Sequence, residues 1–236
     1  MSASRSTMLR ATIALAALVS SGGGIAAGER AGWISLEPST AEAGERVAVR
    51  LMYGDGFGGR EQPFRDETGV RFQHLWKGGR ADLGIVGGMP AARLLPAEPG
   101  VHLVSHGSAA ATPEQYTKAL LVVAGATAGS PLHWSELGHR LEIVPQTDPV
   151  ELLARGGTLE LQVLWEREPL ADATVSAIAR ANPGSVLRAR SDEIGLVSFE
   201  LDRPGTWLIQ VAREGRAHAS LTLVAGPPQA KSAAIR

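Results

Sequence analysis

Apolar and polar residues alternate over short stretches of this chain, and glycine, proline or aspartate separates one stretch from the next. In one such stretch Val47, Val49 and Leu51 lie on one face of an extended segment, and Arg50 lies on the other. A period of two residues is the pattern of a half-buried β-strand, and stretches with helical periodicity are nearly absent. The pattern therefore predicts an all-β protein of antiparallel strands.

The same alternation marks further strands along the chain. Strands are predicted at residues 47–52, 70–76, 101–106, 141–144, 158–165, 174–179, 196–201, 207–212 and 219–224. One segment departs from this pattern, because Thr112, Pro113 and Gln115 have the N-cap, first-position proline and capping-box arrangement of a helix start. It predicts a helical turn, and the apolar run 119–123 that follows fits either a helix or a strand.

The two halves of the chain resemble each other. Pro99-Gly100 and Pro204-Gly205 each precede an apolar strand, which we expect to return beside the opening strand of its half. Two tandem immunoglobulin-like antiparallel β-sandwich modules with little helix fit the number and spacing of strands. We predict a first β-sandwich module at residues 28–147, a linker around 145–149, a second module at 148–226 and a disordered tail at 227–236.

The segment 1–27 has the layout of a secretory signal peptide. Arg5 and Arg10 precede an apolar run at 11–19, and small residues lead to Ala27, the expected cleavage point. The apolar run is only about half of the roughly 20 residues that a membrane-spanning helix needs. We therefore expect a periplasmic protein that has no membrane span once the signal is removed.

Charge and composition narrow the classes of function. The 23 Lys and Arg residues against 24 Asp and Glu residues give a net charge of -1, which offers no electrostatic footprint for nucleic acid. The chain has no cysteine, so disulfides, thiolate metal ligands and a cysteine nucleophile are excluded. The motifs Gly-x-Ser-x-Gly and His-Glu-x-x-His are also absent. We expect a protein that is not an enzyme and does not bind nucleic acid.

Histidine is the main residue type left for binding a transition metal, and the chain has six. His102 and His106 lie four residues apart on one face of a predicted strand, about 13 Å along it, which is too far to chelate one ion unless the strand bends. A simpler interpretation places both on the solvated face. The candidate metal ligands are His74, His102, His106, His133 and His139.

The remaining candidates have different settings. His74 follows the predicted strand face of Phe72 and is expected at the edge of the core. His133 and His139 flank a loop, where a joint site is geometrically possible. Met89 is the one well-placed thioether.

Motifs over much of the chain resemble a known bacterial family. The stretch Leu-Gly-His-Arg-Leu-Glu-Ile-Val-Pro at residues 137–145 is similar to exported domains of unknown function that are catalogued as periplasmic components of cobalt and nickel transport systems. Further similar stretches lie at residues 115–120, 169–175, 192–195 and 204–209. The second half also resembles prealbumin-like or carboxypeptidase-regulatory-like β-sandwiches, which serve as adhesive or spacing modules.

The resemblance implies a soluble, non-enzymatic accessory protein of nickel or cobalt uptake. It also implies Ni²⁺ or Co²⁺ as the ligand and a membrane transporter or another envelope protein as the partner. Members of the family commonly begin with Ala-His followed by Trp-Leu-x-Pro, whereas the matching stretch 31–38 reads Ala-Gly-Trp-Ile-Ser-Leu-Glu-Pro and lacks the histidine.

A second class of function stays open from the residues alone. The chain could be a structural module of the cell envelope that binds carbohydrate or protein and has no metal role. Exposed, coplanar aromatic rings at Trp76, Tyr53 and Phe57 would favour that class.

Overall fold

The structure is a computed structural model, and it describes residues 31–58, 62–63, 71–85 and 91–228. Its strands are β1 (Ala31–Glu37), β2 (Thr40–Ala41), β3 (Val47–Gly54), β4 (Gln62–Pro63), β5 (Phe72–Trp76), β6 (Gly79–Leu83), β7 (Ala91–Leu94), β8 (Gly100–Ser108), β9 (Glu114–Val123), β10 (Leu141–Pro145), β11 (Gly157–Trp165), β12 (Glu168–Pro169), β13 (Thr174–Ala179), β14 (Val186–Arg190), β15 (Leu196–Leu201), β16 (Gly205–Arg213) and β17 (Ala217–Ala225). A 3₁₀ helix covers Gly56–Gly58, and one α-helix, α1, covers Pro149–Arg155. The all-β prediction is confirmed.

Helices within the described ranges are short. None of them is long and apolar enough to cross a membrane. The predicted signal peptide, Met89 and residues 229–236 of the predicted tail lie outside the described residues.

The predicted helical turn at Thr112 is wrong, because β9 begins at Glu114 and continues to Val123. The capping motif is a local signal, whereas the alternation through Tyr116 and Lys118 places side chains on both faces of a sheet. From Gln115 onward the strand is buried on both faces. Its neighbours β8 and β17 supply backbone partners on its two sides, and these long-range contacts override the local motif.

Helix α1 lies where the sequence predicts a linker. The carboxylate of Asp148 accepts a hydrogen bond of 2.8 Å from the backbone N–H of Val150, and Pro149 occupies the first turn. These are the features of a capped helix start. The carboxylate of Asp148 also accepts a bond of 2.5 Å from the backbone N–H of Gly129, so the predicted linker is an ordered segment tied to a neighbouring loop.

The two halves of the chain share one pattern of strand pairing. In the first half β3 pairs with β1, β4 and β7, and in the second half β11 pairs with β10, β12 and β15. The other strands of the first half are paired in the order β6-β5-β8-β9. Those of the second half are paired in the corresponding order β14-β13-β16-β17. The structure therefore contains two copies of one sandwich topology, named here the first and the second sandwich.

Both sandwiches use the same large sheet. Strands β9 and β17 pair in parallel and join the two halves into a sheet of nine strands among the described residues. Val104 and Leu121 face the first core, against β3 and β7, whereas Leu103 and Leu120 face the second core, against β10, β11 and β15. The two small sheets therefore cover opposite faces of this shared sheet.

The strands after the Pro-Gly turns lie in the shared sheet. We expected them beside the opening strands β3 and β11, but those strands belong to the small sheets. That expectation is wrong, because in a sandwich a strand can pack face to face with its opening strand through side chains without pairing to it. The predicted boundary at residue 147 places β10 in the first module, although β10 pairs with β11 of the second. The division into two domains stays a prediction, since the shared sheet contains strands from both sides of that boundary.

A third, smaller cluster covers the outer face of the second half of the shared sheet. Trp33 of β1 and Phe57 of the 3₁₀ helix pack against Ile178 and Leu208. The rings of Trp33 and Phe57 contact each other edge to face, with centroids 6.1 Å apart. The N-terminal strand β1 therefore contacts both halves of the molecule.

Candidate functional site

A pair of buried histidines lies inside the first sandwich. Nε2 of His74 on β5 is 2.8 Å from Nδ1 of His102 on β8, and the two rings are almost parallel, at 7°. Their centroids are 5.0 Å apart, which is the separation of two imidazoles joined end to end by an N–H···N bond. Strand pairing produces this contact, because His74 lies opposite Val104 and His102 is the diagonal neighbour on the same face.

The hydrogen bonds assign the tautomers of this pair. Nε2 of His102 is 3.0 Å from the backbone carbonyl of Glu98, which can only accept, so Nε2 of His102 is the donor. Its Nδ1 then accepts from the N–H at Nε2 of His74, and the lone pair at Nδ1 of His74 is left over. Burial lowers the pKa of both rings, that of His74 to about 4 with the help of neighbouring His102. Both imidazoles are therefore neutral at pH 7.

A cleft of about 430 Å³ opens beside this pair, and we name it the Trp76 cleft. Its lining includes Trp76, Lys77, Glu98, His102 and the loop 125–132. The indole of Trp76 stacks on the imidazole of His74, with centroids 4.7 Å apart and planes at 15°. The volume lies within the roughly 300–1,000 Å³ of small-molecule sites, and the lining combines an aromatic ring, a histidine and charges of both signs.

His106 lies on the same strand face but is not part of this pair. Its Nδ1 donates to the backbone carbonyl of Arg71 at 3.1 Å, and its Nε2 is buried with no hydrogen-bond partner. The ring is tilted against Phe72 in the first core. His102 and His106 are only 2% and 3% exposed, so their placement on a solvated face is wrong. The face is covered by the small sheet of the first sandwich, which the local pattern could not reveal.

His133 and His139 lie on the opposite face of the shared sheet. The ring of His139 stacks on that of Tyr116, which belongs to the second core, with centroids 5.1 Å apart. Burial lowers the pKa of His139 to about 4. His133 is 2% exposed and stacks on Trp134 in the loop that covers the second core. Each of the two rings is stacked on a different aromatic residue, and their joint site stays a prediction.

The predicted metal ligands are therefore divided between two faces of one sheet. Within the described residues, no three His, Asp or Glu side chains form a group that could hold a metal ion. A single site built from all the candidate histidines does not fit this structure. His74 and His102 are the candidates that the fold brings into contact, and with these tautomers Nδ1 of His74 is the nitrogen of the pair that keeps a free lone pair.

A buried ion pair, which the sequence did not lead us to single out, lies on the face of the second core. Nζ of Lys118 is 2.5 Å from Oε1 of Glu142, and the side chains are 3% and 1% exposed. The carboxylate of Glu142 also accepts backbone N–H bonds from residues 137–139, while Nζ of Lys118 donates to the carbonyls of Ser135 and Ile143. Burial lowers the pKa of Lys118, and Glu142 opposes that shift.

This ion pair gives a structural reason for two of the family-like motifs. Lys118 belongs to the stretch 115–120 and Glu142 to the stretch 137–145, and the pair fixes the loop 135–139 over the sheet. The signal for it was a lysine on the strand face of Tyr116 and Leu120, because a charged residue among buried apolar positions needs a partner.

Exposed, coplanar rings at Trp76, Tyr53 and Phe57 would favour a carbohydrate site, and the structure does not meet that condition at Phe57. Phe57 is only 9% exposed and packs on Trp33, with the guanidinium of Arg180 4.3 Å from its ring centroid. Trp76 instead lies against His74 on β5. Among the described residues, Trp134 is 49% exposed, whereas Trp76, at the cleft, is half-buried, as are Tyr53 and Trp165.

Comparison with solved structures gives matches of low sequence identity and low TM-score. Similar solved structures include the D0-D1 domain of intimin, at 15% identity over 83% of this chain and 97% of that chain, with a TM-score of 0.26. A two-domain fibronectin type III segment of chicken tenascin is 9% identical over 82% and 97% of the two chains, with a TM-score of 0.27. Native alpha-2-macroglobulin of Escherichia coli, domains NIE-MG1, is 13% identical over 84% and 97%, with a TM-score of 0.26.

A search of curated proteins found no match. The family model of a domain of unknown function, DUF4198, matches residues 30–215, which is most of the chain and includes every strand of the two sandwiches before β17. The chain therefore belongs to the DUF4198 family.

Proposed function

We propose that this protein is a non-enzymatic accessory protein of the periplasm that binds its ligand in the Trp76 cleft. The observation that supports this proposal is the neutral His74–His102 pair, of which His102 lines that cleft and His74 lies directly behind His102 and Trp76. Residues 1–27, with their signal-peptide layout, support export to the periplasm. A membrane transporter or another envelope protein is the partner that the family resemblance implies.

For the ligand we propose Ni²⁺ or Co²⁺, taken as cargo. Imidazole nitrogen is a preferred donor for both ions, and ligating histidines usually donate their second N–H to a carbonyl or another acceptor. His74 makes such a bond from its Nε2 to Nδ1 of His102 and keeps the spare lone pair at its own Nδ1. His102 in turn donates from Nε2 to the carbonyl of Glu98. Depressed pKa values keep both rings free of the proton that would compete with a metal ion at pH 7.

Calorimetric titration of the mature protein with NiCl₂ and CoCl₂ tests this proposal. We expect saturable binding to the wild type, and a His74→Gln variant should lose about tenfold or more in affinity because an amide cannot replace the imidazole lone pair. The matched control is His139→Gln, since the ring of His139 is also neutral at pH 7 but lies, half-buried, on the other face of the shared sheet. Absence of binding to the wild type, or equal losses in both variants, would reject the metal proposal.

One observation favours the second class of function, an envelope module that binds carbohydrate. The indole of Trp76 lines the cleft and is supported by His74, and sugar rings commonly pack their apolar face on such a ring. Titration with soluble oligosaccharides from the bacterial cell wall, followed by tryptophan fluorescence, tests this alternative. A change in tryptophan emission on addition of the oligosaccharide that is lost in Trp76→Leu and kept in Trp134→Leu would support this alternative. An unchanged emission spectrum of the wild type would reject it.

A further inference from the structure

A second pocket lies where β17 separates from β9. The parallel pairing of these strands ends at Thr222 with Ala119, and β9 takes β2 as its neighbour only from Val122 onward. Between these points residues 120–121 have β8 on one side, and the described residues place no paired strand on the other. A pocket of about 330 Å³ lies in this gap, and we name it the strand-gap pocket.

The lining of this pocket combines three kinds of group. Segment 35–39, at the end of β1, crosses the opening, and β17 forms the opposite wall. The hydroxyl side chains are those of Ser35, Ser39, Thr206 and Thr222, the charged side chains are those of Glu37 and Arg180, and the apolar residues are Leu36, Pro38, Leu120, Leu223 and Val224. One carboxylate and one guanidinium give the lining charges of both signs.

Thr222 is the lining residue that most needs a partner. It is only 4% exposed, and its Oγ1 has no hydrogen-bond partner. A buried hydroxyl without a partner destabilises a protein, so such a group in the wall of a pocket indicates a ligand that supplies the missing bond. Ser176 on β13 has an unpartnered buried hydroxyl too, but it does not line this pocket.

We propose that the strand-gap pocket binds a free α-amino acid with an apolar side chain. The volume is at the lower end of the range for ligand sites, which restricts the ligand to about the size of one amino acid. Thr222 can donate to the carboxylate of the ligand beside the guanidinium of Arg180, which also lies over the ring of Phe57. Glu37 pairs with Arg50, and its carboxylate can be shared with the ammonium group of the ligand. Leu36, Pro38 and Val224 provide apolar surface for its side chain.

The open sides of the two strands support the same class of ligand. Beyond the last paired residues, β9 and β17 present main-chain groups toward the gap, and such groups are complemented by the N–H and carboxylate of a residue in extended conformation. This site shares no lining residue with the Trp76 cleft. The proposal therefore does not depend on the function proposed above.

Calorimetric titration of the mature protein with L-leucine, 4-methylpentanoate and isopentylamine tests the proposal without any variant. The second compound lacks the ammonium group and the third lacks the carboxylate, while all three have the same branched chain. We expect L-leucine to bind and each analogue to bind roughly tenfold more weakly or worse, because each loses charge-assisted hydrogen bonds. No heat with leucine, or equal binding of all three, would overturn it.

A pair of variants then locates the site. Thr222→Val keeps the shape of the side chain and removes the hydroxyl, and it should reduce leucine affinity by about tenfold. Ser176→Ala removes a buried, unpartnered hydroxyl outside this pocket and should leave the affinity unchanged. Equal effects of the two variants would overturn the assignment to this pocket, and circular dichroism spectra would confirm that both variants are folded.

Discussion

The two sandwiches have the same strand pairing but bury different polar groups. The first encloses neutral imidazoles, with His74, His102 and His106 on the face that meets its small sheet. The second has a core of aliphatic and aromatic residues, including Phe199 and Trp207, and buries the Lys118–Glu142 ion pair under a covering loop. Strands β8 and β9 contribute to both, so one sheet separates two chemically different sites. Topology alone therefore does not say where a ligand binds.

The largest difference between the two regions should appear when the ion pair is broken. Glu142→Ala leaves Lys118 buried without a counter-charge and removes the acceptor for three backbone N–H groups. We expect a loss of about 3–5 kcal/mol in the free energy of unfolding, measured by urea denaturation.

The matched control for this change is an exposed ion pair in the first sandwich. Arg50 and Glu37 are 3.0 Å apart, with side chains 53% and 55% exposed. Glu37→Ala should change stability by only about 0–1 kcal/mol, because solvent screens the pair. A small effect of Glu142→Ala would show that the buried pair is not a structural anchor.

The shared sheet predicts that both sandwiches unfold together. Leu51 of the first core is 2% exposed and Leu161 of the second is 0% exposed, so truncation of either to alanine should destabilise by about 2–5 kcal/mol. Each variant should shift one common transition to lower urea concentration, because β8 and β9 belong to both cores.

Two probes separate these possibilities. Far-ultraviolet circular dichroism reports both sandwiches, and a fluorescent label near α1 reports the second. Coincident transitions are expected in both variants. Two separate transitions would instead establish the predicted modules 28–147 and 148–226 as independent domains.

Acid should destabilise the protein from both faces of the sheet. The folded-state pKa of His74 and of His139 is about 4, below the value of 6.5 for a free histidine. The unfolded chain therefore binds more protons than the folded one as the pH falls from about 6.5 to 4, and stability decreases through that window. Above pH 7 these two residues should cause no pH dependence.

Replacement of either histidine measures its share of this acid sensitivity. His74→Gln and His139→Gln should each flatten the decline of the urea midpoint between pH 7 and pH 4.5, one on each face of the sheet. If only one variant flattens it, burial differs between the two sites. An unchanged slope in both would contradict the neutral state assigned to these rings.

The smallest effect is expected at the surface of the second sandwich. The guanidinium of Arg213 lies 4.0 Å from the ring centroid of Trp165, and that of Arg140 lies 4.8 Å from it. Arg213→Ala should cost about 0.5–1 kcal/mol and shift the tryptophan emission, since one cation–π partner is lost. Arg93→Ala, at an exposed position of β7, is the control and should leave both quantities unchanged.

Local patterns in the sequence were sufficient to predict the fold class and most of the strands. Alternation at residues 196–201 matches β15, and the strand of Leu159 and Leu161 is present as β11, because a period of two residues is a local property of a half-buried strand. The likeness of the two halves is also real, since their strands pair in the same order. The placement of His74 at a core edge agrees with the structure, where it is 7% exposed.

The contacts between residues that are distant in sequence could be read only from the tertiary structure. The parallel joint between β9 and β17 connects segments about a hundred residues apart, and it turns a predicted helical turn at Thr112 into the start of a strand buried on both faces. The shared sheet places His139 and His102 on opposite faces. The end of the pairing between β9 and β17 leaves the gap beside Thr222. Long-range pairing of this kind depends on packing against distant strands, and local periodicity contains no information about that partner.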